Sequence, residues 1–116
     1  MDSRERRSSP RQPIKLAAQI DLGTGETWPC QIADFCAEGL FVRYSADTSR
    51  KLEQALAVAS RPEFIIRFRS LDGHQRYELS VSLARRIEGA MGVHFTQPNP
   101  EAVAAMLQQC GGSRNL

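Results

Sequence analysis

The stretch FIIRFRSLDGHQRYELSVSL, residues 64–83, decides the fold. Phe64, Ile66 and Phe68 alternate with Ile65, Arg67 and Arg69, and Tyr77, Leu79, Val81 and Leu83 give the clearest alternation in the chain. A period of two places alternate side chains on opposite faces of a strand, so each run reads as a half-buried strand. Between them, Asp72-Gly73 is a strong signal for a short hairpin turn. Two antiparallel strands with one apolar face each require more strands to cover that face.

The flanking sequence supplies them. Ile14, Leu16, Ala18 and Ile20 share one parity and Lys15, Gln19 and Asp21 the other, with a Gly23-Thr24-Gly25 turn after them. Trp28, Cys30 and Ile32 form a second strand, and Pro29, unable to donate a ladder hydrogen bond, places that stretch at an edge or a bulge. A third strand reads Leu40 to Tyr44, with faces not cleanly separated because Phe41 opposes Leu40 and Val42. Leu52, Ala55, Leu56 and Ala59 stand at helical spacing, which predicts a short helix from about Thr48 to Ala59 ahead of Pro62. After Glu88-Gly89, the residues Met91, Val93 and Phe95 mark a last strand. Asn99-Pro100-Glu101 reads as a helix start, with a capping side chain, proline at the first position and an acid near the positive end of the dipole. Val103, Met106, Leu107 and Cys110 form the helix's apolar stripe, and Gly111 is read as its end.

Six short strands joined mostly by tight turns point to a mainly-β antiparallel barrel or a strongly curled sheet, with one short helix after the third strand and one at the C-terminus. The 116 residues suit a single domain: a basic arm over 1–13, a barrel over 14–97, a helix over 98–110 and a tail over 111–116. No apolar run approaches a membrane span, and the polar N-terminus lacks the apolar centre of a secretory signal, so the expected location is cytoplasmic. Cys30, Cys36 and Cys110 contain no CxxC pair and read as reduced thiols, while His74 and His94 have no metal-ligand spacing and are assigned no role. No metal site, nucleophile or acid–base pair is suggested, so the expectation is a binding protein and not an enzyme. The net charge of +2 is too small to argue for nucleic acid, and the aromatic residues, at 7%, nearly all have core parity instead of forming stacking platforms.

Charge is concentrated instead at the N-terminus, where Arg4, Arg6, Arg7, Arg11 and Lys15 outnumber Asp2 and Glu5. Each arginine is a planar fork of donors matched to phosphate oxygens or to the O6/N7 edge of guanine. Arg7 and Arg11, four residues apart on an arm, read either as a wrap for a compact anion or as a solvated basic tail. Asp34-Phe35-Cys36-Ala37-Glu38-Gly39 reads either as an ordinary β-turn, with glycine at positive φ, or as a turn whose carboxylate accepts from guanine N1 and N2.

Taken jointly, these motifs resemble those of the PilZ domain family, in which RxxxR on an N-terminal arm is followed by [D/N]xSxxG after the second strand. The matches are Arg7 and Arg11, then Asp34 and Gly39. Gly92-Val93-His94-Phe95 resembles the family's final strand, and the likeness spans roughly residues 6–110. It implies a six-stranded antiparallel barrel that binds the bacterial second messenger cyclic di-GMP. By the same resemblance Arg7 and Arg11 would meet phosphate and guanine edges, Asp34 would bind a guanine, Gly39 would permit the turn, and Arg6 would add a contact. The implied role is a sensor whose arm orders on the nucleotide and alters the surface shown to a partner protein. The alternative is a barrel of this fold that acts as an interaction adaptor without the nucleotide.

Cys36 departs from the family pattern, which has serine. A thiol donates and accepts only weakly, so losing one neutral hydrogen bond costs on the order of 1 kcal/mol, or roughly tenfold in affinity. Arg85 falls on the core parity of Tyr77, Leu79, Val81 and Leu83, where an unpaired buried arginine would be very costly. Either the strand ends or bulges near Ala84, or Arg85 sits at the barrel mouth within reach of a ligand; a strand end is the simpler of these. Arg67, Arg69, Arg76 and Arg86 are placed on the solvated face.

Overall fold

A computed structural model of the protein describes residues 11–23, 25–57, 63–70 and 72–114. The elements run β1 (Gln12–Asp21), β2 (Thr27–Phe35), β3 (Gly39–Arg43), α1 (Ala46–Ala57), β4 (Glu63–Arg69), β5 (Arg76–Ile87), β6 (Ala90–Phe95) and α2 (Pro100–Arg114). The strands close into one antiparallel barrel in the order β1-β2-β3-β6-β5-β4. All six strands of the sequence reading are present. The first ten residues of the expected arm, with Arg6 and Arg7, lie outside the described residues.

The inward parity of each strand forms the core. Ile20, Ile32, Leu40, Val42, Ile66, Leu79, Val81 and Met91 are each 0% exposed. Burying a side chain of this size contributes about 1.5–3 kcal/mol, so this set dominates the fold's stability. Leu52 of α1 and Ala102, Ala105 and Met106 of α2 join the same cluster. Phe41 is only half-buried because it faces outward, where the Arg43 guanidinium lies 5.5 Å from its ring centre. Pro29 pairs with Gln19 of β1 but precedes the β3 ladder, which starts at Gln31, so its missing N–H removes no bond from that ladder.

Several boundaries differ from the sequence reading. Helix α1 starts at Ala46, not Thr48, because Ser45 is its cap: the Ser45 Oγ accepts from the Thr48 N–H at 3.1 Å. It is described to Ala57, and its expected last two residues lie outside the described ones. Helix α2 starts at Pro100 as read, but runs on through Gly111 to Arg114. Glycine inside a helix costs about 1 kcal/mol relative to alanine, which weakens a helix without ending it. The Asn99 amide donates to the Gln97 carbonyl at 2.9 Å, turning back from the helix, while the Asn99 carbonyl accepts the Val103 N–H at 3.0 Å.

Strand β5 does not end near Ala84. Leu83 pairs with Val93 and Arg85 with Gly92, so Ala84 is an extra residue in a β-bulge. The bulge reverses the alternation, and Arg85 is exposed instead of following Leu79 and Val81 inward. A similar slip on β2 separates Ile32↔Val42 from Asp34↔Phe41. It makes Ala33 the extra residue, so Phe35 is buried and Asp34 turns toward the surface.

Candidate functional site

The two bulges and the β2–β3 turn bring separate segments to one place. Arg11 immediately precedes β1, whose first pairs, Gln12↔Phe35 and Pro13↔Asp34, hold it beside the end of β2. Its Nε donates to the Asp34 Oδ1 at 2.7 Å. The side chains of this pair are 38% and 29% exposed, so the charges are screened and the pair is worth about 0–1 kcal/mol. The Arg11 Nη1 also lies 3.9 Å from the Cys36 Sγ.

The turn itself is tightly closed. The Cys36 N–H donates to the Gly39 carbonyl at 3.0 Å, and the Phe95 N–H donates to the Glu38 carbonyl at 2.9 Å. The Glu38 N–H reaches the Cys36 Sγ at 3.4 Å, a weak bond of the kind a hydroxyl oxygen would make more strongly. Gly39 is not among the glycines with positive φ, which corrects the reading that it supplies a left-handed turn position. Steric crowding demands it instead. A Cβ at Gly39 would collide with the Val93 carbonyl oxygen and come within 3.2 Å of the His94 Cα.

These residues line a surface depression of about 520 Å³. Arg11, Asp34, Cys36, Gly39 and Arg85 all border it, so each described residue singled out in the sequence falls at one site. Arg6 and Arg7 cannot be placed, since they lie outside the described residues. Arg85 has no carboxylate partner among the described residues and brings its positive charge from β5. The sequence reading missed Phe41, Gly92 and His94, which also border the depression. His94 is exposed and faces Gly39 across the β3–β6 ladder. Only that register brings it to the site, and nothing in its local sequence signals this. The arrangement offers guanidinium forks from Arg11 and Arg85, the carboxylates of Asp34 and Glu38, an imidazole and a half-buried aromatic face, a set of groups suited to a phosphate-bearing heterocycle. Among the described residues, no group of three or more His, Cys, Asp or Glu side chains is placed to hold a metal ion.

The sequence profile of the PilZ domain matches residues 5–111. The chain belongs to the PilZ domain family. PilZ domains are generally non-enzymatic adaptors that bind cyclic di-GMP and protein partners. Among solved structures, the PilZ domain of CeSA from a cellulose-synthesizing bacterium is similar at 20% identity and a TM-score of 0.61, covering 90% of this chain and 98% of that one. The Bacillus subtilis inhibitor of motility, MotI/DgrA, is similar at 18% identity and a TM-score of 0.62 over 95% of this chain. This chain covers 51% of the motility inhibitor. Both likenesses are in fold. No curated protein matches the chain significantly. Among the described residues, no helix is long and apolar enough to cross a membrane.

Proposed function

We propose that this PilZ domain is a cytoplasmic cyclic di-GMP sensor that binds the dinucleotide at the Arg11–Asp34–Gly39 depression. In this reading Arg6, Arg7 and Arg11 grip phosphate oxygens and guanine edges, Asp34 accepts from guanine N1 and N2, and Arg85 adds charge from the opposite rim. The convergence of Arg11, Asp34, Cys36, Gly39 and Arg85 on one depression is the observation that supports it. The energetics favour an exchange. Releasing the exposed Arg11–Asp34 pair costs about 0–1 kcal/mol, whereas hydrogen bonds from Arg11 to a phosphate contribute about 1.5–3 kcal/mol. The nucleotide draws the arm against the barrel, and this ordering changes the surface presented to a partner protein. Cys36 favours a second reading, an adaptor that binds no nucleotide, because its thiol stands where the family's hydroxyl would bond more strongly.

Calorimetric titration of cyclic di-GMP into the full chain, beside Arg7→Ala and Arg11→Ala, tests the proposal. Saturable binding, weakened about tenfold to a hundredfold by either substitution, is expected. No heat, with the backbone amide signals of residues 34–39 unmoved at high ligand concentration, rejects it and leaves the adaptor reading.

A further inference from the structure

Closure of the barrel rests on a short ladder. Among the described residues, β1 and β4 pair at Gln19↔Arg67, Ile20↔Ile66 and Asp21↔Ile65 and nowhere else. Continuing that register would set Ala18 against Phe68 and Ala17 against Arg69, but the pairing stops. Over the same residues β1 stays in its ladder with β2, and β4 in its ladder with β5 as far as Arg69↔Arg76. The two strands therefore part on this side, leaving a depression of about 600 Å³ bordered by Leu16–Ala18, Phe68–Ser70 and, from α2, Gln109. A strand edge without a partner is a row of backbone donors and acceptors, the template to which an extended peptide adds.

Charge on this seam is unbalanced in a specific way. Arg69 and Arg76 are exposed and directly opposite one another in the β4–β5 ladder, an arrangement in which like charges are destabilising. Arg67, two residues before Arg69, bonds Asp21 at 2.8 Å and Glu78 at 2.7 Å. Neither Arg69 nor Arg76 has a carboxylate partner among the described residues. Arg69 gives one 3.3 Å hydrogen bond to the Gly73 carbonyl, which leaves most of its fork unused. Independently, the buried Gln109 Nε2 at the edge of the seam has no acceptor among the described residues. Among the described residues, the seam thus combines an open strand edge, two guanidinium groups without anions and one amide donor without an acceptor.

We infer that the seam between β1 and β4 docks an extended acidic segment of a partner protein, lying along the open edge as an added strand with carboxylates on Arg69 and Arg76. Backbone carbonyls of such a segment serve the strand edge and Gln109, and its charge relieves the facing arginines. The surface stands apart from the Arg11–Asp34 depression, so the inference does not depend on nucleotide binding.

The test uses the isotope-labelled full chain and the blocked peptide Ac-Val-Glu-Val-Glu-Val-Glu-NH2, with a lysine-for-glutamate peptide as control. The acidic peptide is expected to shift the amide signals of residues 16–18 and 68–70 saturably, and more weakly as salt rises. Arg76→Ala and the double variant Arg69→Glu/Arg76→Glu should raise its half-saturation point, the latter by about tenfold or more. An unchanged amide spectrum elsewhere verifies the fold of each variant, and an unchanged cyclic di-GMP titration keeps the two sites separate. If the nucleotide fails to bind while the peptide still moves the seam, the docking inference stands alone. Unmoved seam signals, equal binding of the lysine peptide, or pyrophosphate binding at Arg69 and Arg76 without peptide binding would each overturn it.

Discussion

The β2–β3 turn and the β4–β5 turn each carry an aspartate and a glycine, yet their polar groups are satisfied in opposite ways. In the β4–β5 turn, the Asp72 Oδ1 accepts from the Ser70 hydroxyl at 2.6 Å and from the His74 N–H at 2.9 Å. Gly73 has a φ of +79°, and a Cβ there would meet nothing within 4 Å. That turn is complete within its own few residues. In the β2–β3 turn, the Asp34 carboxylate is met by Arg11 from 23 residues earlier, and Gly39 is required by β6 pressing against it. A turn closed on itself only reverses the chain. One whose carboxylate is held by a distant, exchangeable arginine can give that carboxylate and that arginine to a ligand.

The largest expected difference between the two turns is in stability. Gly39→Ala forces the Val93 carbonyl and the β3–β6 ladder to shift and is expected to cost about 3 kcal/mol. Gly73→Ala strains only a left-handed backbone position and should cost about 1 kcal/mol. Urea unfolding of both variants measures the contrast, and equal losses would erase it.

Next comes ligand affinity. Arg11→Ala is expected to weaken cyclic di-GMP binding by about 2 kcal/mol while changing stability by less than about 1 kcal/mol, because its ion pair is exposed. Asp72→Asn should leave the nucleotide titration unmoved, since among the described residues its carboxylate serves its own turn, bonding Ser70 and His74. A smaller gain is expected from Cys36→Ser, about 1 kcal/mol tighter binding, as a hydroxyl replaces the long thiol contacts. Calorimetry on the same preparations ranks all three.

The smallest effect concerns acid. Hydrogen bonds from Ser70 and then from the His74 N–H hold the Asp72 carboxyl below its ordinary value, and the Gly23 N–H followed by Arg67 does the same for Asp21. A folded-state pKa below the unfolded one contributes stability that is present above the usual carboxylate value, about 4, and is lost as pH falls through the lower folded value. Unfolding midpoints measured from pH 5 downward should therefore fall, and less steeply in Asp72→Asn. Burial raises the Cys30 thiol to about 12, so the wild type should also lose stability as pH climbs from about 9 toward that value. A slope on the alkaline side that survives Cys30→Ala would assign it elsewhere.

The turns also show how legible the site was. Asp34, Gly39 and Arg11 could be singled out because short motifs carry them, but the reason for Gly39 could not be read from its neighbours. Its glycine requirement is set by Val93, 54 positions later in the chain, pressed against it by the β3–β6 register. His94 reaches the depression by the same register, and Phe41 lies outward on a strand whose parity was ambiguous. Arg85 was correctly marked as anomalous on its strand. The resolution as a bulge at Ala84 depends on how β5 meets β6.

Alternation along Leu16–Ile20, Phe64–Phe68 and Tyr77–Val81, with the turn residues between them, was sufficient in the sequence to mark antiparallel strands of a barrel or a strongly curled sheet, and the family resemblance implied the closed six-stranded barrel. Parity and turn chemistry act over two to four residues, so a local reading captures them. The bulges at Ala33 and Ala84, the crowding at Gly39, the meeting of Arg11 with Asp34 and the parting of β1 from β4 were decided only in the tertiary structure. Each depends on which residue of one strand stands opposite which residue of another. That register is fixed by packing the whole apolar set into one core, and no single segment contains it.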